Sequence, residues 1–210
     1  SCEQSLDPAL IGRPVVVLSN NDGCIVARSA EARALGIAMG TPYFKAKRHL
    51  EQHNVVIRSS NYALYADMSQ RLMSLLESQV EVLVCYYMDE AFARLRGPSE
   101  GKVHPWAQRM RSLARRNLGL PIAIGLGASK GQAKLANRLA KVVPAHAGLF
   151  DLGLCPDPDR WLETISIEDV WGIGRKLALW CRMRGVVNAR ELRDMPSGCL
   201  RAKAGVVGVR

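Results

Sequence analysis

Short continuous apolar runs alternate along this chain with apolar residues spaced three and four apart, and the two patterns predict strands and helices in turn. Val15-Val16-Val17-Leu18 and Ile25-Val26 flank Asn20-Asn21-Asp22-Gly23. That order predicts two short strands around a tight turn, with Asn and Gly taking the positive φ it needs. Helices are expected over 30–35, ended by Gly36, and over 43–52, beyond Gly40-Thr41-Pro42, with a strand following over 54–60. Over 61–79, Leu64, Met68, Leu72, Leu75 and Leu76 recur at helical spacing and predict an amphipathic helix. The unbroken apolar run 82–88 reads as a buried strand; Asp89-Glu90 and a second short run, 91–95, come next. A helix rich in Arg109, Arg111, Arg115 and Arg116 is expected over 105–119, a strand over 120–129 and a helix over 130–143. From about Phe150 the texture changes. Residues 151–160, with Pro156 and Pro158, have the composition of a linker, and the rest reads as a separate domain of short helices punctuated by Gly.

Composition narrows the class without naming a function. The 210 residues suffice for one good core or two smaller ones, and 48% hydrophobic content argues against disorder. No apolar run approaches the roughly 20 residues that a membrane-spanning helix needs. Residues 1–10 lack the basic start and apolar stretch of a secretory signal, and the missing initiator Met suggests a piece of something longer. The six cysteines are spread singly, with no CxxC pair, and read as reduced thiols packed as small hydrophobes. His49 and His53 lie four apart and could share a helical face, but without nearby Cys, Asp or an HExxH context they are not read as metal ligands. The charge is more telling: 29 Lys and Arg against 19 Asp and Glu give +10. Such a surplus favours a polyanionic partner, nucleic acid ahead of membrane, because no segment sets a Trp/Phe/Leu face against clustered Lys.

Four constellations could carry chemistry. Asp89 and Glu90 sit at a strand end, where adjacent residues can both reach one ion, and hard carboxylate oxygens suit Mg²⁺. Arg33, on a short helix after a strand, could take a phosphate bidentately. Lys130, Lys134 and Lys141 ring a predicted helix after Gly125-Leu126-Gly127, which is not a Walker A loop because the GxxxxGK[ST] spacing is absent. Finally, Gly172-Ile173-Gly174 between two short helices has the form of a helix-hairpin-helix, whose glycines let backbone approach a DNA phosphate. Arg175, Lys176, Arg182 and Arg184 follow it. Taken singly, each has an ordinary reading: a solvated turn, an Arg33–Glu31 surface pair, a solvated lysine stripe, a tight helical turn.

Together, in order and spacing, "SNNDGCIVARSAEARALGIAMGTPYFK", "SSNYALYADMSQRLM", "DEAF", "GLGASKGQAKLANRLAK" and "IEDVWGIGRK" resemble the Y-family translesion DNA polymerases, particularly the bacterial UmuC-type branch. The resemblance implies an α+β, right-hand polymerase core. Its parts would be small α/β fingers over 1–64, opening on the last remnant of the first palm segment, a ferredoxin-like palm sheet over 65–148, and an incomplete all-helical thumb with the helix-hairpin-helix over 149–210. It further implies error-prone synthesis past damaged bases in DNA repair and the SOS response, by two-metal nucleotidyl transfer. Asp89 and Glu90 would bind two Mg²⁺, Arg33 and Lys141 would hold the incoming dNTP, and Gly172, Ile173, Gly174, Arg175 and Lys176 would contact DNA. The implied partners are damaged primer–template DNA and dNTP, with a UmuD-like subunit, RecA and the sliding clamp for a full-length protein. No membrane is implied, and the location would be cytoplasmic, at the bacterial nucleoid.

Three departures from the family pattern accompany this. The strand with the first metal-binding Asp and the steric gate would precede Ser1, and the little-finger domain would follow Arg210. Tyr87 stands where the family has a small Ser, and could crowd primer or metal. Residues 1–210 alone are therefore expected to bind primer–template in a salt-sensitive way without extending it. The alternative is a catalytically inactive remnant that serves only as a DNA-binding scaffold.

Overall fold

Val15-Val16-Val17-Leu18, buried at every position, forms the central strand of the first sheet, where β-branched residues pack well on both faces. The computed structural model describes residues 1–95 and 103–209, so Arg210, the last residue of the expected partial thumb, lies outside the described residues. Two compact units are present, Ser1–Ile122 and Ala123–Arg210.

The first unit runs α1 (Cys2–Leu6), β1 (Val15–Leu18), β2 (Ile25–Arg28), α2 (Ala30–Ala34), α3 (Tyr43–Gln52), β3 (Val56–Ser59), α4 (Tyr62–Glu77), β4 (Val82–Tyr87), β5 (Glu90–Arg94) and α5 (Val103–Leu118). One sheet has the order β2-β1-β3, antiparallel between β1 and β2 and parallel between β1 and β3. Val16, Leu18, Ile25, Ala32, Ile37, Ala46, Leu50 and Val55 form its core against α2 and α3. The tight turn between β1 and β2 is as expected, but the positive φ falls on Asp22 (52°) rather than on Asn or Gly. The Asn21 side-chain oxygen accepts from the Ser19 hydroxyl (2.8 Å) and the Gly23 N–H (3.2 Å). That Asx-type geometry leaves the next residue, Asp22, to take the left-handed conformation.

Ser29 joins this sheet to α2. Its hydroxyl accepts from Val15 N–H (3.1 Å) and Ala32 N–H (3.3 Å) and lies 3.3 Å from the Arg13 carbonyl oxygen, within donating distance. The N-cap and the start of the central strand are thus held by one buried side chain.

The run 82–88 is a strand as expected, but it is not buried. Val84, Tyr86, Tyr87 and Met88 are exposed, and β5 is the neighbour that β4 has among the described residues. An apolar run reports a strand that fits a dry surface; whether another element covers it is decided by tertiary structure.

The second unit runs β6 (Ile124–Leu126), α6 (Lys130–Val142), β7 (Leu149–Asp151), α7 (Pro158–Glu163), α8 (Arg175–Arg182), α9 (Ala189–Asp194) and α10 (Ser197–Val209, broken at Gly205). Strand β7, parallel to β6, falls where the sequence suggested the edge of a linker. Three residues, two of them apolar, give no period to read, so pairing with β6 is what makes the segment a strand. Ala136, Leu139 and Ala140 of α6 share a core with Phe150, Leu152, Leu162, Ile165 and Ala189. Gly125 lets α6 lie directly on β6: a Cβ there would sit 2.0 Å from Asn137 N and 2.4 Å from Ala133 O. The Asn137 side-chain amide also donates to the Ala123 carbonyl at 2.8 Å. The glycines of Gly125-Leu126-Gly127 thus serve close helix–strand packing.

Candidate functional site

Asp89 and Glu90 lie on a β-hairpin. Tyr87 pairs with Glu90 across the ladder, so Met88 and Asp89 form a two-residue loop. Neither loop residue has positive φ, and the register shifts between Cys85 and Tyr87. Such a bulge adds local twist and re-aims the residues beyond it. Asp89 is exposed and Glu90 half-buried. The loop is tied to the helix behind it, because the Ser69 hydroxyl of α4 donates to the Met88 carbonyl. Sequence reasoning missed Ser69, since one Ser on an amphipathic helix carries no signal of what it will reach.

Tyr87 lies beside the carboxylates and is 61% exposed, with its ring edge-on to Tyr86 at 4.5 Å. Its phenol is pushed above the usual range, first by the hydrogen bond with Tyr86 and then by the charge effects of Tyr86 and Glu90. A neutral phenol therefore stands next to the pair, in the place expected for a small residue.

Arg33 is exposed in the last turn of α2, in the same unit. The Arg33–Glu31 pair does not form: no ion pair to Arg33 occurs among the described residues, and the Glu31 carboxyl is held low mainly by the Ser29 hydroxyl. Lys141 is exposed in the last turn of α6 in the second unit. The lysine stripe is divided, because Lys134 packs over the Trp171 ring at 5.9 Å whereas Lys141 has no ion pair among the described residues.

Gly172-Ile173-Gly174 forms an exposed turn into α8, with Gly172 at φ +89° and Gly174 as N-cap. The element before it is a single 3₁₀ turn, Ile167–Asp169, rather than an α-helix. Its first buried residue, Ile167, packs with Ala178 and Cys181 of α8. Arg182 is engaged within the turn itself. Its Nε donates to Glu168 Oε1 (2.5 Å) and its Nη2 to Oε2 (2.7 Å), a two-point clamp across the turn. Arg184 lies over the Trp180 ring at 4.1 Å. Of the four basic residues, Arg175 and Lys176 are exposed with no ion pair among the described residues.

The clamp makes the turn acid-sensitive. Arg182, then Ser166, hold the Glu168 carboxyl at about 2, against an ordinary 4.5. A depressed carboxyl contributes stability that is present above its ordinary pKa and lost as pH falls toward the folded value. Thermal melts should show the unchanged chain above Glu168→Gln at neutral pH, with the difference closing between about pH 5 and 2. A difference independent of pH would show that the clamp contributes nothing.

Among the described residues no group of three or more His, Cys, Asp or Glu could hold a metal ion. The hairpin thus offers two hard oxygen ligands, which fits Mg²⁺, an ion that keeps several waters and accepts substrate oxygens. No helix of the described residues is long and apolar enough to cross a membrane.

The model of the impB/mucB/samB family matches residues 1–138. The chain belongs to this family. It is 42% identical to the protein UmuC of Salmonella typhimurium over 209 residues, covering 99% of this chain and 50% of that protein. It is also 33% identical to DNA polymerase IV of Corynebacterium diphtheriae, covering 93% of this chain and 43% of that protein. The chain spans about half the length of these curated relatives. Among solved structures, an insertion ternary complex of Dbh DNA polymerase superposes with a TM-score of 0.80 at 23% identity, covering 99% of this chain and 60% of that one. DinB from Sulfolobus solfataricus gives 0.75 at 23%, with the same coverage. These likenesses show that the chain has the mixed α+β fold of Y-family polymerases. All of the expected site residues fall among the described residues, and Asp89 and Glu90 lie at the same end of one hairpin.

Proposed function

We propose that this chain is the catalytic portion of a translesion DNA polymerase that extends a primer past damaged template bases. The observation that carries the reading is the carboxylate pair at the tip of the β4–β5 hairpin, in a member of the impB/mucB/samB family. Asp89 and Glu90 would hold Mg²⁺, which when bound neutralises charge developing on the transferring phosphoryl group. Two carboxylates are fewer ligands than a pair of ions requires, and the resemblance puts a further Asp on a strand before Ser1. Arg33 would grip the triphosphate through its planar fork and Lys141 would add a point charge. By this reading residues 1–64 are fingers, 65–148 palm and 149–210 thumb. Their partners are damaged primer–template DNA and dNTP, in the setting of the SOS response.

The names of the relatives support the reading, one a UmuC protein and another a DNA polymerase IV. The proposal is tested by primer extension opposite a template abasic site, using the longest product that the reading frame encodes. Insertion opposite the lesion is expected, and a stop one base before it under all dNTP and Mg²⁺ concentrations would refute the proposal.

The exposed turn before α8 would grip the DNA backbone, through its N–H groups together with Arg175 and Lys176. Arg175→Ala and Lys176→Ala should each weaken binding about equally on unrelated sequences and lower the salt slope by about one. Gel shifts on primer–template at several salt concentrations would measure this, and an unchanged slope in both variants would remove these side chains from the interface.

A further inference from the structure

His49 of α3 and His53, the residue that caps the C-terminus of α3, play no part in the function proposed above. Both are exposed, and their rings lie with centroids 4.4 Å apart at a tilt of 47°. Each ring has one nitrogen already committed: His49 Nε2 is 3.1 Å from the Leu35 carbonyl oxygen, and His53 Nδ1 is 2.9 Å from that of His49. A carbonyl oxygen only accepts, so both of these nitrogens carry hydrogen. In the neutral rings, His49 Nδ1 and His53 Nε2 are then left with lone pairs. Metal-binding histidines are held in this way, with the second N–H on a carbonyl that fixes tautomer and ring orientation and raises ligand basicity. Here both rings have that support.

We propose that His49 and His53 form a two-histidine site for a late first-row divalent ion, Cu²⁺, Ni²⁺ or Zn²⁺, on the surface of α3. Zinc–nitrogen bonds of about 2.0–2.1 Å bring two neighbouring donors to about 3 Å of each other. Rings with centroids 4.4 Å apart can meet that separation by small side-chain rotations. No third His, Cys, Asp or Glu joins them among the described residues, so the remaining positions are open to water or a small ligand. Glu51, between the two, is turned to Lys47 at 4.0 Å. Imidazole donors select against Mg²⁺, so the site is chemically distinct from the Asp89-Glu90 hairpin, and Cu²⁺ should bind it most tightly.

The test is calorimetric titration of Ni²⁺ into the chain in excess Mg²⁺, which occupies hard oxygen sites. One Ni²⁺ per chain is expected. His49→Ala and His53→Ala should each weaken it by about 100-fold or more, because either change turns a chelate into a single ligand. His104→Ala should leave it unchanged. The cysteines are common to every variant and give the same background. Far-UV circular dichroism without metal shows whether each variant keeps its helices. Binding to either single variant as tight as to the unchanged chain, or no saturable binding, overturns the proposal.

Discussion

Asp89→Asn should reduce primer extension by the longest product of the reading frame about 1,000-fold or more, while leaving its melting temperature unchanged. The loss corresponds to about 4 kcal/mol of transition-state stabilisation, the scale expected when a metal that neutralises phosphoryl charge is displaced. Asn conserves the size of Asp and suits a turn equally well, and Asp89 is exposed in a two-residue loop. The substitution therefore removes a hard anionic ligand without disturbing packing. The fall should appear in kcat as well as kcat/KM, because the interaction is made most strongly in the transition state. Extension within about tenfold of the unchanged protein would exclude Asp89 as a metal ligand.

Gly125→Ala should have the largest effect on stability, of about 3 kcal/mol or more. The added Cβ would lie 2.0 Å from Asn137 N, 2.4 Å from Ala133 O and 2.6 Å from Ala136 C. All three are helix backbone atoms, which cannot rotate away as a flexible side chain would. Helix α6 is in turn fixed by its buried Ala136, Leu139 and Ala140, so strand and helix would have to separate. For a unit of this size the melting temperature should fall by more than about 10 °C. Gly131→Ala is the matched control. It lies inside the same helix, its nearest neighbour would be Ser129 Oγ at 3.9 Å, and the change should stabilise by up to about 1 kcal/mol. Equal effects at the two positions would show that the close approach of α6 to β6 is not what glycine serves at 125.

Residue types alone picked out the candidate site residues. Asp89 and Glu90 follow an apolar run and precede another, and that order already requires a turn which brings the two charges to one end of a strand pair. Arg33, Lys141 and the Gly172-Ile173-Gly174 turn stand out as candidates through the order and spacing of the motifs that hold them. What stayed hidden was mutual assignment. Arg182 belongs to Glu168, Lys134 to Trp171 and Ser69 to the Met88 carbonyl. These are long-range choices among many equivalent surface partners, and spacing along the chain says nothing about them.

The sequence by itself determined where most helices and strands lie, because apolar period and punctuation by Gly, Pro and Asn act over a few residues. It also determined the excess of positive charge, the carboxylate pair at a turn and the likeness to a polymerase family. Only the tertiary structure decided that the run 82–88 is exposed, that Leu149–Asp151 is a strand, and that Gly125 exists for helix packing. It also decided that His49 and His53 each donate to a carbonyl. Burial, strand pairing and hydrogen-bond choice depend on which distant segment arrives alongside, and that information is spread over the whole chain.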